Sequence, residues 1–295
     1  MELKPLDRQV VVVMGASSGI GRVAALRAAA RGAKVLAAGR DVAALESLRG
    51  EVGEGLEVTV ADVADPEQVE RVARRAVEQW GGIDTWAHVA GVAEYARFED
   101  ITPEEFRRVI DVTLLGPVWG ARAALPHLRR QGGALVVVSS DLAKRSFPLT
   151  SSYCAAKHGV DGFLESLRLE LQHEKAGVAV TQILPAAVAT PFFEHARTRL
   201  GVRPSGPPPV YSPETVAAAI LHAAEHGGRD VAVGSAAKLQ LALQRVSPRV
   251  MDAFARTTAF RLQRSAEPKG PAADALFEAP HGDDRVRGVV STAHR

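Results

Sequence analysis

Tyr153 and Lys157 lie four residues apart, in the segment Tyr153-Cys154-Ala155-Ala156-Lys157. If this segment is helical, both side chains lie on one face, one turn apart. A phenol has a reference pKa of about 10, so at neutral pH it can donate a proton to an oxygen that gains negative charge. A nearby ammonium favours the phenolate that the reverse reaction needs. The pair therefore predicts proton transfer to or from oxygen, although without further context it is also typical of an exposed helix edge.

A serine follows one of the predicted strands. Leu135–Val138 is an apolar run, and Ser140 comes two residues after it. Open α/β sheets bind ligands at the carboxyl ends of their strands, so the Ser140 hydroxyl is placed to bond a substrate oxygen. Ser139 is the adjacent alternative.

A glycine-rich segment, Gly15-Ala16-Ser17-Ser18-Gly19-Ile20-Gly21, follows the first apolar run. Glycines at a strand-to-helix junction allow close approach to phosphate, and the free N–H groups of the following helix favour an anion. The segment also matches G-x-S-x-G, the nucleophile turn of α/β-hydrolases, which would make Ser17 a nucleophile. That alternative requires strands upstream, and only residues 1–14 precede the loop.

Continuous apolar runs alternate with stretches of helical character. Such runs are typical of parallel strands that are covered on both faces. The chain is therefore predicted to form a doubly wound, Rossmann-type α/β sheet of about seven parallel strands with helices on both faces. The predicted strands are Val10–Val13, Val35–Ala38, Val58–Val60, Thr85–Ala87, Leu135–Val138, Val178–Leu184 and Val231–Val233.

Taken in order, these motifs resemble the short-chain dehydrogenase/reductase family, over residues 6–234. His88-Val89-Ala90-Gly91 falls where the family has N-N-A-G, and Pro185–Thr190 resembles its P-G-x-x-x-T segment. The resemblance implies that Ser140, Tyr153 and Lys157 are catalytic and that Lys157 also binds ribose. The positions that it implies for cofactor binding are Gly15, Ser17, Ser18, Gly19, Ile20, Gly21, Asp62, Val63, Ala90, Gly91, Tyr153, Lys157, Pro185, Val188 and Thr190.

Three positions depart from the family pattern. Met14 replaces a threonine and Val89 an asparagine, which leads to the hypothesis that an apolar Met14–Val89 contact replaces a polar one. Thr113 stands where an asparagine usually holds a water of the proton relay, so we expect Thr113 to belong to an altered relay. The alternative is a non-catalytic NADP(H)-binding protein, which Val89 and Thr113 motivate.

The end of the second strand bears on the choice of cofactor. Enzymes that prefer NAD place an acid there for the ribose 2′-hydroxyl, whereas here Gly39 takes that place and Arg40 follows. An arginine can pair with the 2′-phosphate of NADP. Arg40 therefore predicts NADP(H), and the resemblance implies a small carbonyl or alcohol as substrate. The apolar Phe192 and Phe193, where the family forms its substrate lid, indicate an apolar one.

Composition restricts the partners and the compartment. The formal net charge of +2, from 36 basic and 34 acidic side chains, gives no electrostatic footprint for nucleic acid. One cysteine, Cys154, leaves no intrachain disulfide and favours a reducing compartment. Residues 1–8 lack the apolar core of a signal peptide, and no apolar run reaches the roughly 18 residues of a membrane span. We expect a cytoplasmic protein, and the family resemblance implies a homodimer or homotetramer.

The predicted organisation has three parts: a cofactor-binding catalytic domain (residues 1–237), a basic amphipathic helical extension (238–264) and a flexible tail (265–295). The extension leaves open a contact with an anionic membrane surface. His222-Ala223-Ala224-Glu225-His226 matches a zinc pattern, but Gly227 and Gly228 end that helix at once. No metal site is therefore predicted.

Overall fold

The architecture of the chain is a seven-stranded parallel sheet with helices on both faces, which confirms the predicted fold class. The computed structural model describes residues 3–289 except 248, 250–251, 254 and 270–273. The strands are β1 (Val10–Met14), β2 (Lys34–Gly39), β3 (Leu56–Val60), β4 (Thr85–His88), β5 (Glu94–Tyr95), β6 (Gly133–Val138), β7 (Val178–Pro185), β8 (Arg197–Thr198), β9 (Val202–Pro204), β10 (Asp230–Val233) and β11 (Arg264–Pro268). Across the main sheet, the strand order is β10-β7-β6-β4-β1-β2-β3.

The strand order reverses between β1 and β4. Their register pairs Met14 with His88, and Met14 also pairs with Ala38 of β2, so the carboxyl ends of three strands are level. A crevice for a ligand is expected at such a reversal, at the carboxyl edge of the sheet. Two small sheets lie outside the main one: β5 pairs with β8, and β9 pairs with β11.

Helices cover the two faces of the sheet and begin at recognisable caps. The Asp65 side chain accepts the N–H groups of Glu67 and Gln68, and Thr102 and Glu105 form a reciprocal capping box. A π-helical turn, Asp111–Leu115, joins two of the helices, and a second covers Ala255–Ala259. The helices are α1 (Gly19–Ala30), α2 (Val42–Val52), α3 (Pro66–Trp80), α4 (Pro103–Ile110), α5 (Gly116–Gln131), α6 (Ser151–His173), α7 (Phe192–His195), α8 (Pro213–His226) and α9 (Ser235–Val246).

The core consists of two apolar clusters, one on each face of the sheet. One joins the sheet to α1, α2 and α8, and includes Val13 and Ile220. The other joins it to α3, α5 and α6, and includes Val12 and Trp86. Alternate residues of β1 therefore face opposite layers, which explains why its run of valines is apolar throughout.

The C-terminal part differs from the prediction of a flexible tail. Helix α9 begins at Ser235 rather than Lys238, and Arg264 belongs to a strand, β11, rather than to the helical extension. Residues 274–289, here named the tail segment, pack against the carboxyl edge of the sheet, where Leu276 is 1% exposed. Ion pairs hold the segment, among them Asp274–Arg197 and Arg285–Glu194. The charge-rich composition of this segment predicted that it would be exposed to solvent. Instead, its charged side chains form ion pairs with residues of the main domain.

The remaining residues of the predicted tail, 270–273 and 290–295, lie outside the described residues. Within the part that is described, no helix is both long and apolar enough to cross a membrane.

Candidate functional site

The glycine-rich loop connects β1 to α1 in a tight turn. Gly15 has a φ of +88°, and a Cβ there would lie 2.6 Å from the backbone nitrogen of Ala90. A Cβ at Gly21 would lie 1.9 Å from the Gly15 carbonyl oxygen. Only glycine fits at these two positions, because any side chain would collide with neighbouring backbone atoms. The loop backbone can therefore turn tightly between β1 and α1. The Ser18 side chain makes no cap hydrogen bond to the start of α1.

A cavity opens above this loop, at the carboxyl ends of β1 to β4. Its glycine cradle and helix N-terminus suit a phosphate-bearing ligand. The structure brings most of the predicted cofactor positions together in its wall: Gly15, Ser17, Ser18, Gly19, Ile20, Gly21, Arg40, Asp62, Val63, Ala90, Gly91 and Thr190.

A second cavity adjoins the first, since Ile20, Gly91 and Thr190 lie in the walls of both. It holds the other predicted positions, Ser140, Tyr153, Lys157, Pro185 and Val188. The rest of its wall is largely apolar, with Tyr95, Leu142, Phe147, Phe192 and Phe193. The two cavities together offer one site with a glycine-rich end and an apolar end.

Ser140, Tyr153 and Lys157 meet within the second cavity. The Ser140 hydroxyl donates to Oδ1 of Asp141 at 3.0 Å and accepts the N–H of Leu142 at 3.1 Å. Nζ of Lys157 lies 5.5 Å from the centroid of the Tyr153 ring. The same nitrogen donates to the carbonyl oxygen of Val138 at 3.0 Å. Both Tyr153 and Lys157 come from α6, as their spacing predicted.

Burial dominates the electrostatics of these groups. It lowers the pKa of Lys157 to about 7. It also raises the pKa of Tyr153 above its ordinary value, with a further rise from Asp141 and an opposing effect of the hydrogen bond to Ser140. Burial therefore outweighs the expected lowering of the Tyr153 pKa by the ammonium. The reason is that desolvation penalises the phenolate and makes Lys157 easier to deprotonate.

Asp141 was not predicted from the sequence, yet its carboxyl lines the second cavity beside Ser140. Burial raises the pKa of Asp141 to about 6, against the hydrogen bond from Ser140, which favours the charged form. The position of Asp141 directly after the strand-end Ser140 could have indicated a site residue. Whether its carboxyl faces the cavity, however, depends on the short helical turn that begins at Asp141.

Thr113 lies in the π-helical turn and is fully buried. Its hydroxyl accepts the N–H of Val92 at 3.0 Å and donates to the Val92 carbonyl oxygen at 2.9 Å. A Cβ on Gly91 would lie 3.7 Å from Oγ1 of Thr113 and 3.9 Å from Nζ of Lys157. Thr113 therefore fixes the loop behind Gly91 and does not line either cavity; its part in a proton relay stays a prediction.

The hypothesis of a side-chain contact between Met14 and Val89 is wrong. Met14 packs in the cluster on one face of the sheet, whereas Val89 packs against the cluster on the other. The two residues meet through the backbone, because the Met14 carbonyl oxygen accepts the N–H groups of Val89 and Ala90 at 2.9 and 3.0 Å. Side chains of adjacent strands can share a motif and still face opposite layers.

His88, at the end of β4, is 1% exposed, and its ring nitrogens have no hydrogen-bond partner among the described residues. Burial, together with the neighbouring Lys157, lowers the pKa of His88 to about 3, so the ring is neutral. A Cβ on Gly120 of α5 would lie 2.9 Å from Nδ1 of His88. The glycine therefore leaves room for the ring against the helix.

Arg40, the predicted 2′-phosphate ligand, lies at the end of β2 beside the first cavity. Its guanidinium nitrogens Nη1 and Nη2 donate to the carbonyl oxygens of Phe277 and Ala275, at 3.0 and 2.6 Å. No local sequence pattern predicts this contact, since the partners are backbone atoms more than 230 positions away.

The zinc pattern on α8 is arranged differently from a metal site. The rings of His222 and His226 stack with centroids 4.3 Å apart, and Glu225 pairs with Arg31 at 2.7 Å. Among the residues that the structure describes, no three potential ligands cluster to hold a metal.

Known proteins agree with this geometry. A family model described as short chain dehydrogenase matches residues 9–201. An uncharacterized oxidoreductase, YxnA of Bacillus subtilis, is 40% identical over 96% of this chain and 81% of its own length. A 3beta-hydroxysteroid dehydrogenase of Mediterraneibacter gnavus is 31% identical over 67% of this chain and 72% of its own. The chain belongs to the short-chain dehydrogenase/reductase family.

Two solved structures have the same fold. A short-chain dehydrogenase from Streptomyces avermitilis has a TM-score of 0.72 at 28% identity, and the alignment covers 85% of this chain and 98% of that one. An alcohol dehydrogenase from the archaeon Thermococcus sibiricus, complexed with 5-hydroxy-NADP, has a TM-score of 0.67 at 26% identity, with 76% and 95% covered. The protein is thus an oxidoreductase of a fold that binds a nicotinamide cofactor, and neither the hydrolase nor the non-catalytic alternative gains support.

Proposed function

We propose that the protein interconverts a carbonyl and an alcohol on a small apolar molecule, with NADP(H) as cofactor. One observation carries the proposal: Ser140, Tyr153 and Lys157 converge in an apolar cavity that opens into the cavity above the glycine-rich loop. This arrangement brings a proton donor within reach of a substrate whose other neighbour would be the nicotinamide.

The residues of the first cavity fit a dinucleotide. The loop backbone and the N-terminus of α1 suit a pyrophosphate, because glycine positions that exclude a Cβ let phosphate approach the N–H groups. Arg40 supplies a guanidinium at the end of β2, where Gly39 stands in place of the acid of NAD-preferring enzymes. The structural neighbour complexed with 5-hydroxy-NADP agrees with this choice.

When bound, the nicotinamide would supply or accept the hydride. In the reductive direction, Tyr153 would donate its hydroxyl proton to the substrate oxygen as negative charge develops there. Ser140 would orient that oxygen by turning its hydroxyl away from Asp141, to which it now donates. Lys157 would donate to the ribose hydroxyls and, when charged, favour the Tyr153 phenolate that alcohol oxidation requires. Thr113 would keep the Gly91–Val92 backbone in place.

The cavity wall favours a substrate that is apolar beyond its reacting oxygen. Phe192 packs against the Tyr153 ring with centroids 5.8 Å apart, and the centroids of Phe192 and Phe193 are 5.7 Å apart.

We also infer a cytoplasmic homodimer or homotetramer that acts without nucleic acid. Light scattering of the purified protein after gel filtration measures the oligomeric state.

Titration with NADPH and with NADH, followed by nicotinamide fluorescence, tests the cofactor choice. Arg40 predicts tighter binding of NADPH by about tenfold, or about 1.4 kcal/mol. The substitution Arg40→Ala should weaken the binding of NADPH and leave the binding of NADH unchanged, and an equal loss for both would contradict the role of Arg40.

Stereospecific deuteride transfer from labelled NADPH to a panel of apolar ketones then tests catalysis, with Tyr153→Phe as the matched control.

A further inference from the structure

The tail segment forms part of the wall of the cofactor cavity. Ala275, Ala279 and Pro280 line the first cavity together with the glycine-rich loop. Leu276 anchors the segment, since it is 1% exposed and packs with Val109 and Ala156. Chain remote in sequence therefore borders the space that the nucleotide half of a dinucleotide would occupy.

The segment binds Arg40 through backbone atoms. The carbonyl oxygens of Ala275 and Phe277 accept from its two terminal nitrogens at 2.6 and 3.0 Å. The carbonyl oxygen of Leu276, between them, accepts Nε of Arg108 at 2.9 Å, and Arg108 also pairs with Asp62 in the cavity wall. Two cationic side chains on the main domain are thus held by three consecutive carbonyl groups.

A second part of the segment reaches the phosphate loop. The Arg285 carbonyl oxygen accepts the N–H of Gly19, at the start of α1, at 3.0 Å. The N–H of Asp283 donates to Oδ2 of Asp41, next to Arg40, at 3.2 Å. The Arg285 side chain fixes this part through Glu194, at 3.0 Å. The segment therefore uses one backbone donor, the Gly19 N–H, that also suits the pyrophosphate shared by NADPH and NADH.

We propose that the tail segment determines the choice between NADPH and NADH, because its carbonyl groups compete with a 2′-phosphate for the Arg40 guanidinium. This inference rests on the proposed function, in which Arg40 binds that phosphate. The carbonyl groups of Phe277 and Ala275 take one donor on each terminal nitrogen of Arg40, so a 2′-phosphate bound by both of these nitrogens competes with this part of the segment. NADH has a 2′-hydroxyl instead and leaves these bonds in place. The intact segment therefore reduces the preference for NADPH.

A double-mutant cycle on the full chain tests the proposal. Leu276→Asp places a charge at the buried anchor and should release the segment, whereas Val289→Asp makes the same change at a position that is 54% exposed. The ratio of the NADH dissociation constant to that of NADPH should rise about tenfold in Leu276→Asp and stay unchanged in Val289→Asp. In the Arg40→Ala background, Leu276→Asp should leave the ratio unchanged, because the coupling passes through Arg40.

Two further measurements keep the test decisive if Leu276→Asp folds poorly. Arg285→Ala, at an exposed position, removes the pairs with Glu194 and Asp283, and it should shift the ratio in the same direction. In the unmodified chain, NADPH should increase amide hydrogen exchange in residues 274–277, and NADH should not. An unchanged ratio in both variants, with NADPH still bound, would overturn this inference and leave the proposed function intact. Absence of binding of either cofactor to the unmodified chain would overturn both.

Discussion

His88 is buried as a neutral ring, and this makes the stability of the protein depend on pH. Its pKa in the folded chain is about 3, against an ordinary value of about 6.5 in the unfolded chain. Above pH 6.5 the ring is neutral in both states and contributes no pH dependence. As the pH falls from 6.5 towards 3, the unfolded chain binds a proton at His88 that the folded chain does not, so stability is lost. The loss approaches about 1.4 kcal/mol per pH unit below pH 6, and it is about 2.3 kcal/mol between pH 6.5 and 4.5.

Urea unfolding at a series of pH values, with and without His88→Asn, measures this contribution. The variant is expected to have its own constant cost from the altered packing, but it should lose less stability than the unmodified chain as the pH falls. Taking the difference between the two proteins is necessary because other groups titrate in the same range. Glu94, whose pKa burial and the neighbouring Glu105 raise to about 7, stabilises the fold as the pH falls from 7.

His281→Asn is the matched control, since His281 is exposed and lies far along the chain in the tail segment. It should leave the pH dependence of unfolding unchanged. If the free energies of unfolding of the unmodified chain and His88→Asn stay parallel from pH 7 to 4.5, the assignment of His88 as a ring that stays neutral through folding is refuted.

Three further predictions concern the site. Tyr153→Phe should reduce hydride transfer by about 10²–10⁴-fold, because it removes the proton donor, and should change the NADPH dissociation constant by fluorescence titration far less, because the other cofactor positions are kept; retained activity would contradict the role of Tyr153. Thr113→Val removes both hydrogen bonds to Val92 and should cost about 1–3 kcal/mol of stability by urea unfolding, whereas Thr113→Ser should keep most of it. The pH profile of kcat/KM should have an inflection near pH 6 that Asp141→Asn abolishes, since the pKa of Asp141 is about 6 and its carboxyl accepts the hydrogen bond of the Ser140 hydroxyl; an unchanged profile would exclude Asp141 as its source.

The fold could be predicted because its signals are local. The central strands β1 and β6 are continuous apolar runs, and burial on both faces requires no more than that. Helix starts such as Thr102-Pro103-Glu104-Glu105 carry their caps within four residues. The candidate site followed from the fold, because Ser140, Tyr153 and Lys157 occupy fixed places relative to a parallel sheet.

The features that could not be predicted depend on contacts between residues far apart in sequence, or on which way a side chain faces. Met14 and Val89 replace two residues that interact in the family pattern. Which layer of the sheet each side chain faces depends on the register of the two strands, β1 and β4. The tail segment has a composition typical of solvated chain, and it is ordered through partners such as Arg40 that no local pattern connects to it. The pKa of Tyr153 depends on the depth of the cavity, which spacing on a helix does not report.

The pairing of β9 with β11 has a consequence for the order in which the chain is made. The sheet is complete once Val233 has been synthesised, and domains generally fold from the N-terminus as they emerge from the ribosome. The second cavity is completed by later residues, because Gln263 lines it and β11 supports the strand beside it. A nascent chain that ends before Gln263 therefore has its glycine-rich loop in place while the part of the second cavity's wall that Gln263 forms is still missing.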